Sequence, residues 1–154
     1  MTLQDLGSIG ELIAAIATVA TLGYLALQIR LNTKSVRGST AQTIMEHDVA
    51  LAGLVARHAN IYRRGNASIA ELDADERVVY EQIVYVEIAV MWSGFAQYQN
   101  GLMGRSELAT FDTEWKRNMA RPGFRSVWAE ERVGFPEDFR QHFDKISAAA
   151  KDAV

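Results

Sequence analysis

Three histidines, His47, His58 and His142, are the first place to look for a metal ligand or a group that moves protons near neutral pH. His47 and His58 are eleven positions apart, about 16 Å along a helix, too far for one metal ion to bridge. Glu46 and Asp48 flank His47, and Asp138 precedes His142 by one turn, spacings that are ordinary on solvated helices. The reading is therefore boundary histidines and no metal site. Glu87 is the more informative carboxylate, because its neighbours are Ile83, Val84, Ile88, Val90 and Met91. Desolvation raises the pKa of such a group and an arginine partner lowers it, so a proton-handling role or a buried ion pair is implied. A pair with an arginine from another helix or a partner chain is the expected one. Arg117, Arg121 and Arg125, near Trp115 and Trp128, form the one basic-aromatic cluster. Pro122-Gly123 interrupts it, and Glu114, Glu130 and Glu131 neutralise part of it. An acidic partner surface or anionic lipid suits this cluster better than nucleic acid, and the formal net charge is −3. The chain has no Cys, no Gly-rich phosphate loop, no HExxH, no GxSxG and no EF-hand loop. The expectation is a protein that is not an enzyme and carries no cofactor.

Helices must position these groups. The chain is 49% hydrophobic with two Pro among 154 residues, and no run alternates like a strand. Ile44, Leu51, Leu54, Val55, Ile61 and Tyr62 follow a helical stripe between Ala41 and Arg64, which Gly65 should end. Asp73 to Glu76 reads as an N-cap with a capping box, opening a helix from about Ala74 to Asn100 that stops at Gly101. That helix is apolar on most faces and should be central in a bundle. Ser106 with Glu107 should open a fourth helix through Ala120, with Leu108, Phe111, Trp115 and Met119 inward. A short fifth carries Phe124, Val127 and Trp128, and a last one begins at Pro136 with Phe139, Phe143 and Ile146 inward.

Ahead of these lies Leu12 to Leu27, LIAAIATVATLGYLAL, without a charge; Ile9 to Ile29 would cover about 30 Å as a helix, the thickness of a bilayer core. All 16 Lys and Arg lie at or after Arg30, while the first 29 residues carry only Asp5 and Glu11. An acidic leading flank and Gln28-Ile29-Arg30 behind the core do not suit a secretory signal peptide. The positive-inside rule then puts the C-terminal side in the cytoplasm and the N-terminus outside. The expected division is a transmembrane helix over 1–31 and a cytoplasmic helical bundle over 32–154. Gly10, Ala14, Ala17 and Thr21 form a stripe of small side chains suited to helix packing in lipid. Gln28, Arg30, Asn32, Lys34 and Arg37 come next at the membrane exit, where they can meet headgroups or a partner.

The chain resembles a broad set of small bacterial membrane proteins that open with a short apolar span. The likeness rests on Tyr24-Leu25-x-x-Gln28-Ile29-Arg30-x-Asn32-Thr33. Weaker matches are Tyr98-x-x-Gly101-Leu102, Trp115, Arg121-Pro122-Gly123, Trp128 and Phe135. It implies an all-α protein of the bacterial inner membrane and a role for Gln28, Arg30 and Asn32, with no established activity. The leading expectation is a membrane-anchored accessory or scaffold subunit, in contact with lipid and with other membrane helices or itself as a homo-oligomer. The alternatives are a homo-oligomeric pore or sensor with Thr18 and Thr21 facing an axis, and a membrane-tethered enzyme using Glu87.

Overall fold

A computed structural model describes the backbone of residues 3–151 and the side chains of residue 7 and of residues 10–148. Every regular element among the described residues is helical: α1 (Leu3–Arg57), α2 (Ala59–Ala67), α3 (Ala74–Gln99), α4 (Arg105–Met119), α5 (Pro122–Glu131) and α6 (Glu137–Lys151), with single 3-10 turns at Ile69–Glu71 and Arg132–Gly134. The chain divides into two units, Met1–Ser39 and Thr40–Val154.

The first unit is helical throughout its described length, and α1 contains a stretch long and apolar enough to cross a membrane. Its side chains are exposed, Leu12 at 61% and Val19 at 70%. Thr18 Oγ1 donates to the Ala14 carbonyl and Thr21 Oγ1 to that of Ala17, each at 2.8 Å. Folding the hydroxyls back onto the helix backbone leaves no bare donor, the condition for a threonine surrounded by hydrocarbon.

The second unit begins inside α1. Its Thr40–Arg57 portion turns Ile44, Leu51, Leu54 and Val55 to half-buried positions, while Met45 and Val49 stay exposed. The stripe expected to run unbroken to Arg64 is divided at His58. There the backbone adopts φ −117°, ψ 30°, and the His58 N–H is shared between the Leu54 and Val55 carbonyls. The break redirects α2 so that it packs on α3 and α5.

α3 opens with the expected capping box: Glu76 N–H donates to Asp73 Oδ1 at 2.9 Å, and Asp73 N–H to Glu76 Oε2 at 3.2 Å. The helix closes at Gly101, whose φ of +70° a side chain would disfavour. α3 is central, packing on α2, α4 and α5, yet its apolar coat is not wholly buried. Val78, Tyr85 and Trp92 remain at the surface, where Tyr85 and Trp92 border the ring of Phe135. α4 starts earlier than Ser106 suggests: Gly104 is its N-cap, and Glu107 accepts the Gly104 N–H at 2.5 Å. Pro122 takes the first turn of α5, where its missing N–H costs no hydrogen bond.

An aromatic core joins these helices. Trp115 of α4 lies against Phe124 and Trp128 of α5 and Phe143 of α6, with ring centroids 4.4 to 5.5 Å apart. Trp115 and Phe124 are fully buried, and so are Phe139 and Phe143. The Trp115 indole N–H donates to Ser147 Oγ at 3.0 Å, satisfying the one polar atom this ring carries inward. α2 and α5 meet at two glycines: a Cβ on Gly123 would lie 1.9 Å from the Gly65 carbonyl oxygen, and one on Gly65 would lie 2.3 Å from the Tyr80 ring.

Candidate functional site

Glu87 is buried on α3, with 8% of its surface exposed. Two helices reach it. Tyr62 of α2 donates its hydroxyl to Glu87 Oε1 at 2.5 Å, and Arg121, the N-cap of α5, places Nη2 3.4 Å from Oε2. Arg121 spreads further: Nη1 donates to the Tyr62 hydroxyl, and Nη2 donates to Asn118 Oδ1. Nη1 also lies 3.4 Å from Asn66 Oδ1, which accepts the Tyr80 hydroxyl at 2.9 Å. The guanidinium stands over the Tyr62 and Phe124 rings, 5.5 and 5.3 Å from their centroids.

The electrostatics of the cluster are those of a carboxylate short of water. Burial pushes the Glu87 carboxyl above its ordinary value, and the positive charge of Arg121 and the hydrogen bonds from Tyr62 and Arg121 pull the other way without cancelling it. Burial also pushes the Tyr62 phenol up, reinforced by Glu87 beside it. Tyr80 is raised mainly by burial. The two phenols therefore keep their protons more firmly than a free tyrosine does.

A cavity of about 310 Å³ adjoins this cluster. Glu87 and Asn118 form part of its wall, Asp48 of α1 and Glu114 of α4 supply two further carboxylates, and Leu51, Val90, Met91 and Phe111 make most of the rest. Asp48 is exposed at the edge of the cavity; partial desolvation and the nearby Glu114 raise its carboxyl, and His47 partly offsets them. A second hollow of about 370 Å³ shares Leu51 and Val90 with the first and continues between Leu54 of α1 and Val86 of α3.

The remaining residues singled out from sequence fall elsewhere. Gly10, Ala14, Ala17 and Thr21 lie exposed along α1, as do Gln28, Arg30, Asn32, Lys34 and Arg37. Arg30, Thr33, Lys34 and Arg37 flank one shallow surface hollow. The arginine cluster does not hold together. Arg117 pairs with Glu114 on the surface, Arg125 Nη1 donates to the Met119 carbonyl at 2.8 Å, and Arg121 alone turns inward. The helix break at Arg121 sends successive guanidinium groups in different directions. Of the histidines, His47 is exposed, His58 is half-buried, and His142 Nε2 lies 2.8 Å from Asp112 Oδ1. Tyr62, Asn66, Tyr80 and Asn118 escaped sequence reasoning as members of a site, since tyrosine at a core position reads as packing and Asn118, although it sits beside Arg117 and one turn before Arg121, carries no charge to mark it. Set against protein-family models, curated proteins and solved structures, the chain matches none.

Proposed function

We propose that the chain is an accessory or scaffold subunit anchored in the bacterial inner membrane by the first part of α1, with the N-terminus outside and the helical bundle in the cytoplasm. The anchor lies in lipid and packs through Gly10, Ala14, Ala17 and Thr21 against other membrane helices or a second copy. The single observation that supports this reading is the exposed apolar surface of α1: Leu12, Ile16, Val19 and Leu22 are each at least 61% exposed. A strip of that kind is stable only in hydrocarbon or against another protein. Arg30, Lys34 and Arg37 behind it favour a cytoplasmic bundle. A water-lined pore draws little support, since Thr18 and Thr21 spend their hydroxyls on their own backbone. An enzyme built on Glu87 draws little either, because Tyr62 and Arg121 engage both oxygens.

Blue-native electrophoresis of the full chain after mild detergent extraction tests the proposal. Migration well above monomer mass is expected, and a monomer under every gentle condition would overturn it.

A further inference from the structure

The polar residues that follow the apolar stretch of α1 do not share a face. At about 100° per residue, Lys34 and Arg37 lie within about 40° of Arg30 around the helix, whereas Gln28 and Asn32 lie about 160° away. Arg30, Lys34 and Arg37 therefore make one cationic stripe, and with Ile29 and Thr33 they line a shallow hollow of about 320 Å³.

The charges around this stripe are arranged differently from those of the bundle. There, Arg77 pairs with Glu81 and Arg117 with Glu114, each carboxylate one helical turn away. Along α1 no Asp or Glu occurs between Glu11 and Glu46, so every carboxylate of this helix is at least nine positions from all three cations. Residues 40–154 hold 13 of the 16 Lys and Arg but 17 of the 19 Asp and Glu, a formal surplus of four negative charges. The attraction for an anion is thus concentrated in the stripe, where the apolar stretch ends.

The hollow also has an apolar side. Ile29 is 66% exposed and stands towards the apolar stretch, with the three cations beyond it. The Thr33 hydroxyl donates to the Ile29 carbonyl at 2.9 Å, so the donors offered to an anion are those of the charged side chains. From this arrangement we infer that the stripe binds the phosphate of an anionic phospholipid, with the nearest acyl chain against Ile29. Phosphatidylcholine carries a cationic nitrogen beside its phosphate, and that nitrogen meets the same three cations and offsets the attraction. The inference rests on the membrane anchor proposed above and adds a lipid selectivity to it. Gln28 and Asn32, on the opposite face, take no part.

The test places the full chain in nanodiscs made of equal parts dioleoyl phosphatidylcholine and dioleoyl phosphatidylglycerol, and native mass spectrometry counts the lipids that stay on the released protein. A basic residue near an anionic surface is worth about fivefold in partition, so three should enrich phosphatidylglycerol at least about tenfold among the retained lipids. Replacing Arg30, Lys34 and Arg37 together with Gln should bring the enrichment below about twofold. Gln28→Ala combined with Asn32→Ala should leave it unchanged. Both variants are checked for the tryptophan fluorescence of the native bundle, and since the two leaflets of a disc are alike, a change of orientation does not alter the readout. Added glycerol 1-phosphate should leave the lipid in place; if it displaces the lipid, the site belongs to a soluble phosphate and the inference falls. A chain that fails to enter the discs overturns the anchor and this inference with it. A chain that enters but retains both lipids in the proportion of the disc, or keeps its enrichment in the triple variant, overturns the lipid site alone.

Discussion

Tyr62 and Glu87 stand 25 positions apart in the chain and share a 2.5 Å hydrogen bond, the phenol donating to carboxylate Oε1. The contact pins α2 to α3, and Arg121 extends it to α5 by touching both partners. One charged residue from each of two helices and one phenol from a third thus define how three elements meet. A hydrogen-bonded arrangement in an apolar setting tolerates few alternatives, because every shift strands a polar group.

Truncating either partner of Glu87 should destabilise the bundle unequally. Tyr62→Phe removes one hydrogen bond to a charged acceptor and should cost about 2 kcal/mol. Arg121→Met leaves a buried carboxylate without its counter-charge and should cost about 3 kcal/mol or more. Adding Glu87→Gln to Arg121→Met should recover part of that loss, a coupling visible in a double-mutant cycle. Trp92, Trp115 and Trp128 all belong to the bundle, so denaturant titration followed by tryptophan fluorescence reports on it alone. Additive effects would mean that the pair is not an energetic unit.

The pH dependence is set by the direction of the carboxyl shifts. Glu87 and Asp48 both titrate higher in the folded protein than their ordinary values of 4.5 and 3.8. The folded state therefore holds more protons than the unfolded chain between each ordinary value and its raised counterpart. Stability from these groups is fully present below the ordinary values and is lost as pH rises through the raised ones. The midpoint of denaturation should fall as pH is raised from about 4 towards neutrality. Glu87→Gln combined with Asp48→Asn should flatten that slope, and an unchanged slope in the double variant would assign it to other groups.

Most of the helical plan was legible because it rests on local signals. The capping box at Asp73 and Glu76, the stop at Gly101 and the helix break at Pro122-Gly123 each depend on a few adjacent residues, and the structure has all three. The division at His58 was not legible, since nothing in Val55-Ala56-Arg57-His58-Ala59 is a helix breaker. The turn exists because α2 must reach α3 and α5, a tertiary demand. The same limit applies to the polar cluster: Glu87 stood out against its apolar neighbours, whereas Asn118 and Tyr62 became part of its surroundings only when α2, α4 and α5 closed around it. The Arg117-Arg121-Arg125 spacing makes no common face, as the Pro122-Gly123 interruption implies, because a helix period means nothing across a break.

Gly123→Ala should be among the most damaging conservative substitutions in the bundle. Its Cβ would lie 1.9 Å from a backbone oxygen at Gly65, and a carbonyl cannot rotate away as a side-chain tip can. Separating α2 from α5 enough to admit the methyl would also pull Tyr62 away from Arg121. A loss of about 3 kcal/mol is expected, near the upper end for overpacking. Gly134→Ala, with nothing within 4 Å of its Cβ, is the matched control and should be nearly neutral on the same fluorescence assay.

The absence of native cysteine allows the proposed topology to be tested with single introduced thiols. Ser8→Cys lies before the apolar stretch and Ser106→Cys at the start of α4. In intact spheroplasts a membrane-impermeant maleimide should label position 8 and spare position 106 until the cells are lysed. The asymmetry should depend on charge, since Arg30, Lys34 and Arg37 are the basic residues nearest the apolar stretch. Replacing all three with Ala while adding two Lys before Leu12 should weaken or invert the labelling pattern. Val19→Arg asks a different question: a charge at mid-span costs about 3 kcal/mol on insertion scales. It should shift the protein from the membrane pellet towards the soluble fraction after alkaline carbonate washing. If the unaltered protein washes off as readily as that variant, α1 is covered by protein instead of lipid, and the membrane anchor is wrong.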